Sequence, residues 1–347
     1  MSPWIYCCSF ILPAMAAVGL LASGLWAWLT PAFVFLVIPI VDALLGCDES
    51  SSSKISHFAD SGLGAKLYTS ILLVQVVLQI ALLLLLGHVW NQVDAPWPIR
   101  IGWMLSVALS VGGVGITVAH ELIHRQDFMQ RMFGKSMLMG VLYMHFSIEH
   151  VRGHHARVAT DHDPASAPLG MSVYRFLATT IPAQWFSAWE LESKRLEKHQ
   201  LGTWSIQNEM LWFIVIELLW LLGLLWAFGL SFLPIYLVVA VVSCGLLEIV
   251  NYIEHYGLRR EINETNGRHE AVGPEHSWNS NHRLSRALLF ELSRHSDHHM
   301  HAIKPYQRLE NETSSPQLPN GYPGMVLLTL LPPIWFRVMD RRISKSQ

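Results

Sequence analysis

IRIGWMLSVALSVGGVGITVA, residues 99–119, runs directly into HELIH, residues 120–124. The first stretch is almost entirely apolar, and its length matches the roughly 20 helical residues that cross the hydrocarbon core of a bilayer. The second stretch places His120 and His124 four residues apart, so on a helix both imidazoles lie on one face. A membrane helix that ends in metal-binding residue types is the pattern from which the rest of the chain can be interpreted.

The composition agrees with a membrane environment. The chain has 347 residues, of which 52% are hydrophobic and only 14% are charged, a balance typical of a polytopic membrane protein in a lipid bilayer. The net charge of −2 excludes nucleic acid as a partner, because no basic domain is present to neutralise phosphates. The four cysteines form no C-x-x-C pair, so neither a disulfide framework nor a thiolate metal site is indicated.

Apolar stretches of spanning character occur six times, and the second is marginal because Pro39 interrupts it. They cover residues 4–29, 32–46, 67–90, 99–119, 210–229 and 231–250. We therefore predict an all-α polytopic membrane protein with six transmembrane helices in three hairpins and a histidine-rich cytoplasmic cap.

Lysine and arginine placement predicts the orientation. Apart from Arg100, every Lys and Arg falls within 47–66, within 120–209 or after residue 250. Because positively charged loops stay cytoplasmic, both termini and all histidine boxes are predicted on the cytoplasmic side. The predicted organisation is 1–119 as helices one to four, expected to form a substrate channel, 120–209 as a cytoplasmic histidine-box segment, 210–250 as helices five and six, and 251–347 as a second cytoplasmic segment with histidine boxes and the tail.

Nine histidines stand in three boxes and one single site. They are His120, His124, His150, His154, His155, His255, His295, His298 and His299. The i, i+4 spacing predicts that His150 and His154 share a centre, and the same rule groups His295 with His298 and His299. Adjacent doublets diverge by about 100° on a helix, which favours one imidazole for each of two metal ions. Imidazole suits iron, copper, zinc and nickel, so the ligand type leaves the metal open.

Carboxylates near the boxes could accept the second N–H of a ligand imidazole, although helix capping or solvent exposure explains such acids equally well. They are Glu121, Glu149, Asp161, Asp163, Glu254 and Asp297. Glu254 and Asp297 are the preferred auxiliary groups of the catalytic centre, and either could instead bind metal directly. The nine histidines outside the boxes are interpreted as loop, surface or supporting residues.

HELIH is also the H-E-x-x-H pattern of zinc proteases, in which Glu121 would be the general base. A protease would leave the other histidine boxes without a role. A histidine-rich metal transporter is a further alternative, but it should carry its polar ligands near the middle of the membrane. Here the boxes cluster at one end of the predicted helices.

The boxes resemble those of the membrane fatty acid desaturase and hydroxylase superfamily. Within it, NYIEHYGL at 251–258 and LSRHSDHH at 292–299 closely resemble signatures of the bacterial alkane 1-monooxygenases. YQRL at 306–309, HSWNSNH at 276–282 and GYPG at 321–324 extend the resemblance, which covers most of the chain from about residue 100 onward.

The resemblance implies an inner-membrane, non-haem di-iron monooxygenase that uses O2 and electrons from rubredoxin to hydroxylate the terminal methyl of n-alkanes to 1-alkanols. It assigns two iron ions to the nine histidines, none of which is missing. Because an unactivated methyl group gives acid–base catalysis nothing to act on, a redox metal is required. The alternatives within the superfamily are a xylene or related alkyl-group monooxygenase and a fatty acyl desaturase.

We expect rubredoxin to be a separate protein, kept reduced by an NADH-dependent rubredoxin reductase. A basic cytoplasmic face could steer an acidic donor, or it could simply reflect the positive-inside rule. The residues concerned are Arg125, Arg131, Lys135, Arg259, Arg260 and Arg268.

Overall fold

Six helices of membrane-spanning length and composition form the body of the protein in a computed structural model that describes residues 2–49 and 61–346. They are α1 (Pro3–Ala22), α2 (Gly24–Leu45), α3 (Gly62–Gln92), α4 (Trp97–Ile123), α5 (Glu209–Phe228) and α6 (Leu233–His255). The described residues contain no β-strand, only isolated bridges. The predicted all-α fold with six spans is confirmed, and the chain is a multi-pass membrane protein.

The first two helices meet earlier than predicted. The apolar run 4–29 was expected to be one span, but α1 ends at Ala22 and α2 begins at Gly24. Ser23 breaks the helix with a φ of 56°, in the left-handed region that non-glycine residues rarely adopt. The stretch expected to be marginal is therefore part of a full span of 22 residues.

Helices α4 and α6 continue beyond their apolar runs into the histidine boxes. The fourth run was predicted to end at residue 119 and the sixth at residue 250, whereas His120 lies inside α4 and His255 is the last residue of α6. The two helices pack closely, since a Cβ at Gly112 would lie 2.7 Å from Ser243 Cα. This contact brings two of the histidine boxes to the same end of the bundle.

Part of the segment predicted as cytoplasmic, 120–209, enters the bundle. The helix Phe128–Met139 is followed by a non-helical turn at 140–145, after which the chain becomes helical again at Phe146. The Met144 N–H donates to Glu217 Oε1 at 2.9 Å, and Glu217 lies midway along α5. We call residues 140–145 the re-entrant turn.

Helix α6 also holds the re-entrant turn. Cys244 Sγ, midway along α6, donates to the Val141 carbonyl at 3.3 Å, and the Tyr236 hydroxyl donates to the Gly140 carbonyl at 3.0 Å. Non-helical backbone is tolerated at this depth only where protein groups satisfy its hydrogen bonds. The re-entrant turn, which belongs to the segment 120–209, therefore packs against the membrane-spanning helices α5 and α6.

The helix Val173–Lys198 and the two C-terminal helices, Tyr322–Thr329 and Pro332–Ser346, complete the fold around the histidine end of the bundle. The apolar tail segment was expected to pack on the protein or lie in the membrane interface. Trp335 and Met339 are fully buried in a second hydrophobic cluster, so part of the tail packs on the protein.

Candidate metal centre

All nine box histidines converge, and their donor nitrogens form two sets. We define the five-histidine group as His120, His124, His150, His155 and His298, and the four-histidine group as His154, His255, His295 and His299. Within each group the potential ligand atoms all lie within 4.8 Å of one another. The nine come from α4, from the helical segment 146–157, from the end of α6 and from the helix His295–Met300.

The i, i+4 rule gave the wrong partners for two boxes. His150 groups with His155, not with His154, because Glu149–His154 is a π-helical turn. A π-helix closes i to i+5, so residues five apart come to one side. In the last box His298 joins the five-histidine group, whereas His295 and His299 belong to the other. Adjacent histidines thus point to different groups, as the doublets predicted.

Distances between the ring nitrogens fit shared metal ions. His155 Nε2 lies 3.1 Å from Nε2 of both His150 and His298. In the four-histidine group, His295 Nε2 lies 3.1 Å from His255 Nε2 and 2.9 Å from His299 Nε2. Two imidazole nitrogens bound at about 2.1 Å to one ion at right angles would be about 3 Å apart. Both groups therefore could hold a metal ion.

Several buried imidazole nitrogens have no hydrogen-bond partner among the residues that the structure describes. They include both ring nitrogens of His120 and the Nε2 atoms of His124 and His154. Leaving buried polar atoms unsatisfied is costly, and a bound cation would satisfy them. This observation supports the fit of the histidines to a metal.

Burial also keeps most of these imidazoles in the neutral form that binds metals. Burial, followed by the neighbouring histidines, holds the pKa of His150, His155 and His298 well below the usual range. The same causes lower the pKa of His295 and His299 in the four-histidine group. Neutral imidazoles with free lone pairs are the ligand form of histidine.

His154 differs because a carboxylate contacts its outer nitrogen. Asp163 Oδ2 lies 2.9 Å from His154 Nδ1, and both residues are buried. Burial lowers the pKa of His154, but the Asp163 carboxylate outweighs burial and the net pKa is raised. A carboxylate at Nδ1 fixes the ring orientation and leaves Nε2 facing the group.

Glu254 reaches the inner side of the four-histidine group. Its Oε2 lies 3.2 Å from His295 Nε2, the nitrogen that also faces His255 and His299. Its Oε1 accepts a hydrogen bond of 2.5 Å from the Tyr322 hydroxyl. Burial, followed by the charge of Glu254, raises the pKa of Tyr322, so the phenol stays protonated. Tyr322 had not been singled out from the sequence, although it lies in the GYPG motif.

The other four predicted carboxylates contact different groups. Asp297 accepts hydrogen bonds from Lys304 Nζ and from the Glu310 backbone N–H and contacts His301, so it does not take the auxiliary position expected of it. Glu149 pairs with Arg157, Asp161 with Arg259 and Glu121 with Arg125. The physical reason is that an arginine or lysine lies nearer to each of these acids than an imidazole does.

Among the nine histidines set aside, three are buried: His145, His276 and His282. The His276 carbonyl lies 3.3 Å from His255 Nδ1, so His276 supports the site through its backbone. His57 lies outside the described residues.

The interpretation of HELIH as a zinc protease motif has little support in the geometry. Glu121 Oε1 lies 2.6 Å from Arg125 and accepts the Tyr306 backbone N–H, so it is not poised as a general base. His120 and His124 share their group with three further histidines, whereas catalytic zinc takes three protein ligands in total.

An apolar cavity reaches one of the nine histidines, His120. It is lined by residues from α1, α2, α4 and α6 and by the segments 285–292 and 322–326. Its lining includes the apolar residues Leu12, Val34 and Leu109, and also His120 of the five-histidine group and Tyr322. The four first helices were expected to supply a channel, but no described residue of α3 lines this cavity, whereas α6 does.

Two histidine groups beside an apolar cavity, in a bundle of membrane-spanning helices, are features of a membrane-bound metal-binding protein. The family described as fatty acid desaturase matches residues 95–328. The sequence is 42% identical to alkane 1-monooxygenase 2 of Pseudomonas aeruginosa, over 92% of this chain and 84% of the relative. It is 38% identical to alkane 1-monooxygenase 2 of Alcanivorax borkumensis, over 96% and 87%, and 27% identical to a xylene/toluene monooxygenase hydroxylase component of Pseudomonas putida, over 96% and 87%.

The chain belongs to the alkane 1-monooxygenases, within the fatty acid desaturase family. The resemblance predicted from the motifs is thereby confirmed.

Proposed function

We propose that this protein binds two non-haem iron ions through the nine box histidines and hydroxylates the terminal methyl of n-alkanes to 1-alkanols. The observation that carries the proposal is the apolar cavity that ends at His120, one of the five histidines of the first group. An alkane dissolved in the bilayer could enter such a cavity without crossing water. The names of the relatives, alkane 1-monooxygenases, give the reaction class.

The iron ions, when bound, would supply the redox chemistry with O2 that an unactivated C–H bond requires. The chain's own residues exclude water and orient the substrate. The cavity walls formed by Val34, Leu109 and Leu246 favour an extended apolar chain and offer it no polar partner. End-on entry in such a channel would present the terminal methyl to the histidine end.

Glu254 and Tyr322 have the position of proton-handling residues. The Tyr322 side chain lines the cavity and donates to Glu254 Oε1, while Glu254 Oε2 contacts His295. We propose that this pair holds a proton between the cavity and the four-histidine group, or that Glu254 binds metal directly. Asp297 is not included, because it pairs with Lys304.

The electron donor is proposed to be a separate rubredoxin with its NADH-dependent reductase. Arg260 supports binding of the donor close to the five-histidine group. Its Nη1 donates to the carbonyl of Ala156, the residue after His155. Lys135 and Arg259 pair with Glu209 and Asp161, so part of the basic face is already compensated. We propose that the histidine end lies on the cytoplasmic side, as the positive-inside rule predicts. We also propose that the membrane is the inner membrane, as the resemblance to the bacterial alkane 1-monooxygenases implies.

Metal analysis combined with turnover tests the proposal. The purified full-length protein should contain about two irons and convert octane to 1-octanol with rubredoxin, its reductase and NADH. One zinc per chain, or iron without hydroxylated product, would contradict it. Xylene offered in the same assay tests the alkyl-group alternative, and a fatty acyl substrate that gains a double bond would indicate a desaturase.

A further inference from the structure

A second cavity lies on a different side of α6 from the apolar cavity that reaches His120. It has a volume of about 460 Å³ and an almost wholly apolar lining. The re-entrant turn, the helix Val173–Lys198 and residues 237–244 of α6 form its walls. The two cavities share no lining residue. Helix α6 contributes residues 246–250 to the first cavity and residues 237–244 to the second.

His145 is the polar feature of this second cavity. Its side chain is only 4% exposed, and neither ring nitrogen has a hydrogen-bond partner within the described ranges 2–49 and 61–346. The centroids of the Tyr143 and Trp185 rings lie 4.4 Å and 5.0 Å from the centroid of the His145 ring. No carboxylate of the described residues pairs with His145. An unpaired buried cation would be very costly, so the imidazole is neutral. It then carries one unsatisfied donor and one unsatisfied acceptor.

The surroundings limit what could satisfy His145. The re-entrant turn lies at the level of Glu217 and Cys244, midway along α5 and α6. The charged headgroup of a phospholipid would have to leave the interface to reach this depth, which is unfavourable. Leu237 and Val241 on the cavity wall are 40% and 67% exposed, so the cavity opens toward the lipid. The fitting ligand is a long alkyl chain with an uncharged head group that both donates and accepts.

We infer that this cavity binds a long-chain primary alcohol, with the hydroxyl hydrogen-bonded to His145 and the alkyl chain along α6. The inference rests on the proposed function, because 1-alkanols are the proposed product. A continuous row of rings separates the cavity from the five-histidine group: Phe146 stacks on His150 at 4.7 Å and lies 6.1 Å from Tyr143, which contacts His145. The product site is therefore close to the metal centre and separate from the substrate cavity.

Photo-crosslinking in phospholipid nanodiscs tests the inference with the full-length protein. A 1-dodecanol analogue with a mid-chain diazirine should label peptides that contain residues 141–145, 181–186 or 237–244. Unlabelled 1-dodecanol should compete at about three- to tenfold lower concentration than n-dodecane, the range expected from one hydrogen bond. Equal competition by n-dodecane, labelling confined to the cavity at Val34 and Leu109, or displacement by added phospholipid without preference for the hydroxyl would overturn it.

Two substitutions separate the hydroxyl contact from packing. His145→Leu removes both hydrogen-bonding atoms and should abolish the preference for the alcohol, whereas His145→Gln keeps a donor and an acceptor and should retain it. A second variant covers the case in which His145→Leu does not fold. Val241→Trp, on the exposed wall, fills the cavity with a bulky side chain and should reduce labelling there. Retention of the full preference in His145→Leu, or undiminished labelling in Val241→Trp, would contradict the inference.

The crosslinking needs neither bound metal nor turnover. If octane is hydroxylated but the alcohol does not label this cavity, only the product site is disproved. If the alcohol labels the cavity but no alkane is hydroxylated, the proposed function fails instead.

Discussion

The two histidine groups lie side by side but have different surroundings. The five-histidine group borders the apolar cavity through His120, and His124 and His155 in it are only partly buried. All members of the four-histidine group are buried, and two carboxylates contact it, Asp163 at His154 and Glu254 at His295. With the substrate in the apolar cavity, as proposed, the five-histidine group faces the substrate and the four-histidine group is held by acids within the protein.

The largest effects are expected from removing one ligand of each group. His150→Ala and His295→Ala should each lower octane turnover by more than about a hundredfold, since loss of mere supporting partners already costs 10- to 100-fold. Iron content should fall from about two to about one per chain in each variant. The exposed His199 provides the control, and His199→Ala should leave both values unchanged. Full iron content with normal turnover in either variant would remove the group concerned from the proposal.

Substitutions of Glu254 and Asp297 test whether a carboxylate that contacts the four-histidine group matters more for turnover than one that pairs with a lysine. Glu254→Gln should reduce turnover by about 10- to 100-fold, because it alters the group that contacts His295 and Tyr322. Asp297→Asn should leave turnover within a few-fold and lower the melting temperature, because Asp297 instead pairs with Lys304. The comparison is made on turnover rate and thermal unfolding, and the reverse ranking of the two turnover rates would contradict the assigned roles.

Gly112 and Gly113 both line the apolar cavity. A Cβ at Gly113 would meet only Leu246 Cδ2 at 4.0 Å, whereas at Gly112 it would lie 2.7 Å from the Ser243 backbone. Gly113→Leu should therefore fold and shift the preference from dodecane toward octane by about tenfold or more, from an effect of about 1–3 kcal/mol. Gly112→Ala should lower thermal stability. An unchanged chain-length profile in Gly113→Leu would show that this cavity does not hold the substrate.

Glu192 offers the smallest and most pH-dependent test. It accepts hydrogen bonds from Arg195 and from Arg152, which belongs to the π-helical turn between the two groups. Burial alone would raise the pKa of Glu192, but the arginine contacts outweigh it and lower the pKa to about 2. Glu192→Gln should destabilise the protein by about 1–3 kcal/mol at pH 7.

The sign of this effect follows from the lowered pKa. An unfolded glutamate has a pKa of about 4.3. In the folded state Glu192 stays ionised at pH values below about 4.3, down to its lowered pKa of about 2. Its stabilisation is complete above about pH 4.3 and is lost as the pH falls toward 2. Thermal unfolding of Glu192→Gln and the unchanged protein should therefore converge in acid. A difference that grew as the pH fell would contradict the pairing.

Hydropathy was sufficient to predict six spans, because about 20 consecutive apolar residues leave few alternatives to a membrane helix. It did not locate the break at Ser23, since the residues on both sides are equally apolar. It also missed the re-entrant turn, although residues 137–148 contain no Asp, Glu, Lys or Arg. A run of this length is too short to span and is compatible with a re-entrant segment.

The nine histidines were recognisable from spacing and motif, but their division into groups was not. The i, i+4 rule assumes α-helical geometry, and a π-helical turn at Glu149–His154 changes which residues share a side. Glu254 and Asp297 looked alike in sequence because both lie inside specific motifs. The nearby Lys304, brought in by the following turn, separates them.

The hydrogen bonds of the re-entrant turn also constrain the order of biosynthesis. Its Met144 N–H and Gly140 carbonyl have their partners, Glu217 and Tyr236, on helices that leave the ribosome later. Until those helices have entered the membrane, the turn cannot reach its final depth without unsatisfied backbone groups. The histidines that follow it, His150, His154 and His155, therefore reach their positions only after the C-terminal half has been synthesised. Both histidine groups are accordingly completed late, because His298 belongs to one and His255, His295 and His299 belong to the other.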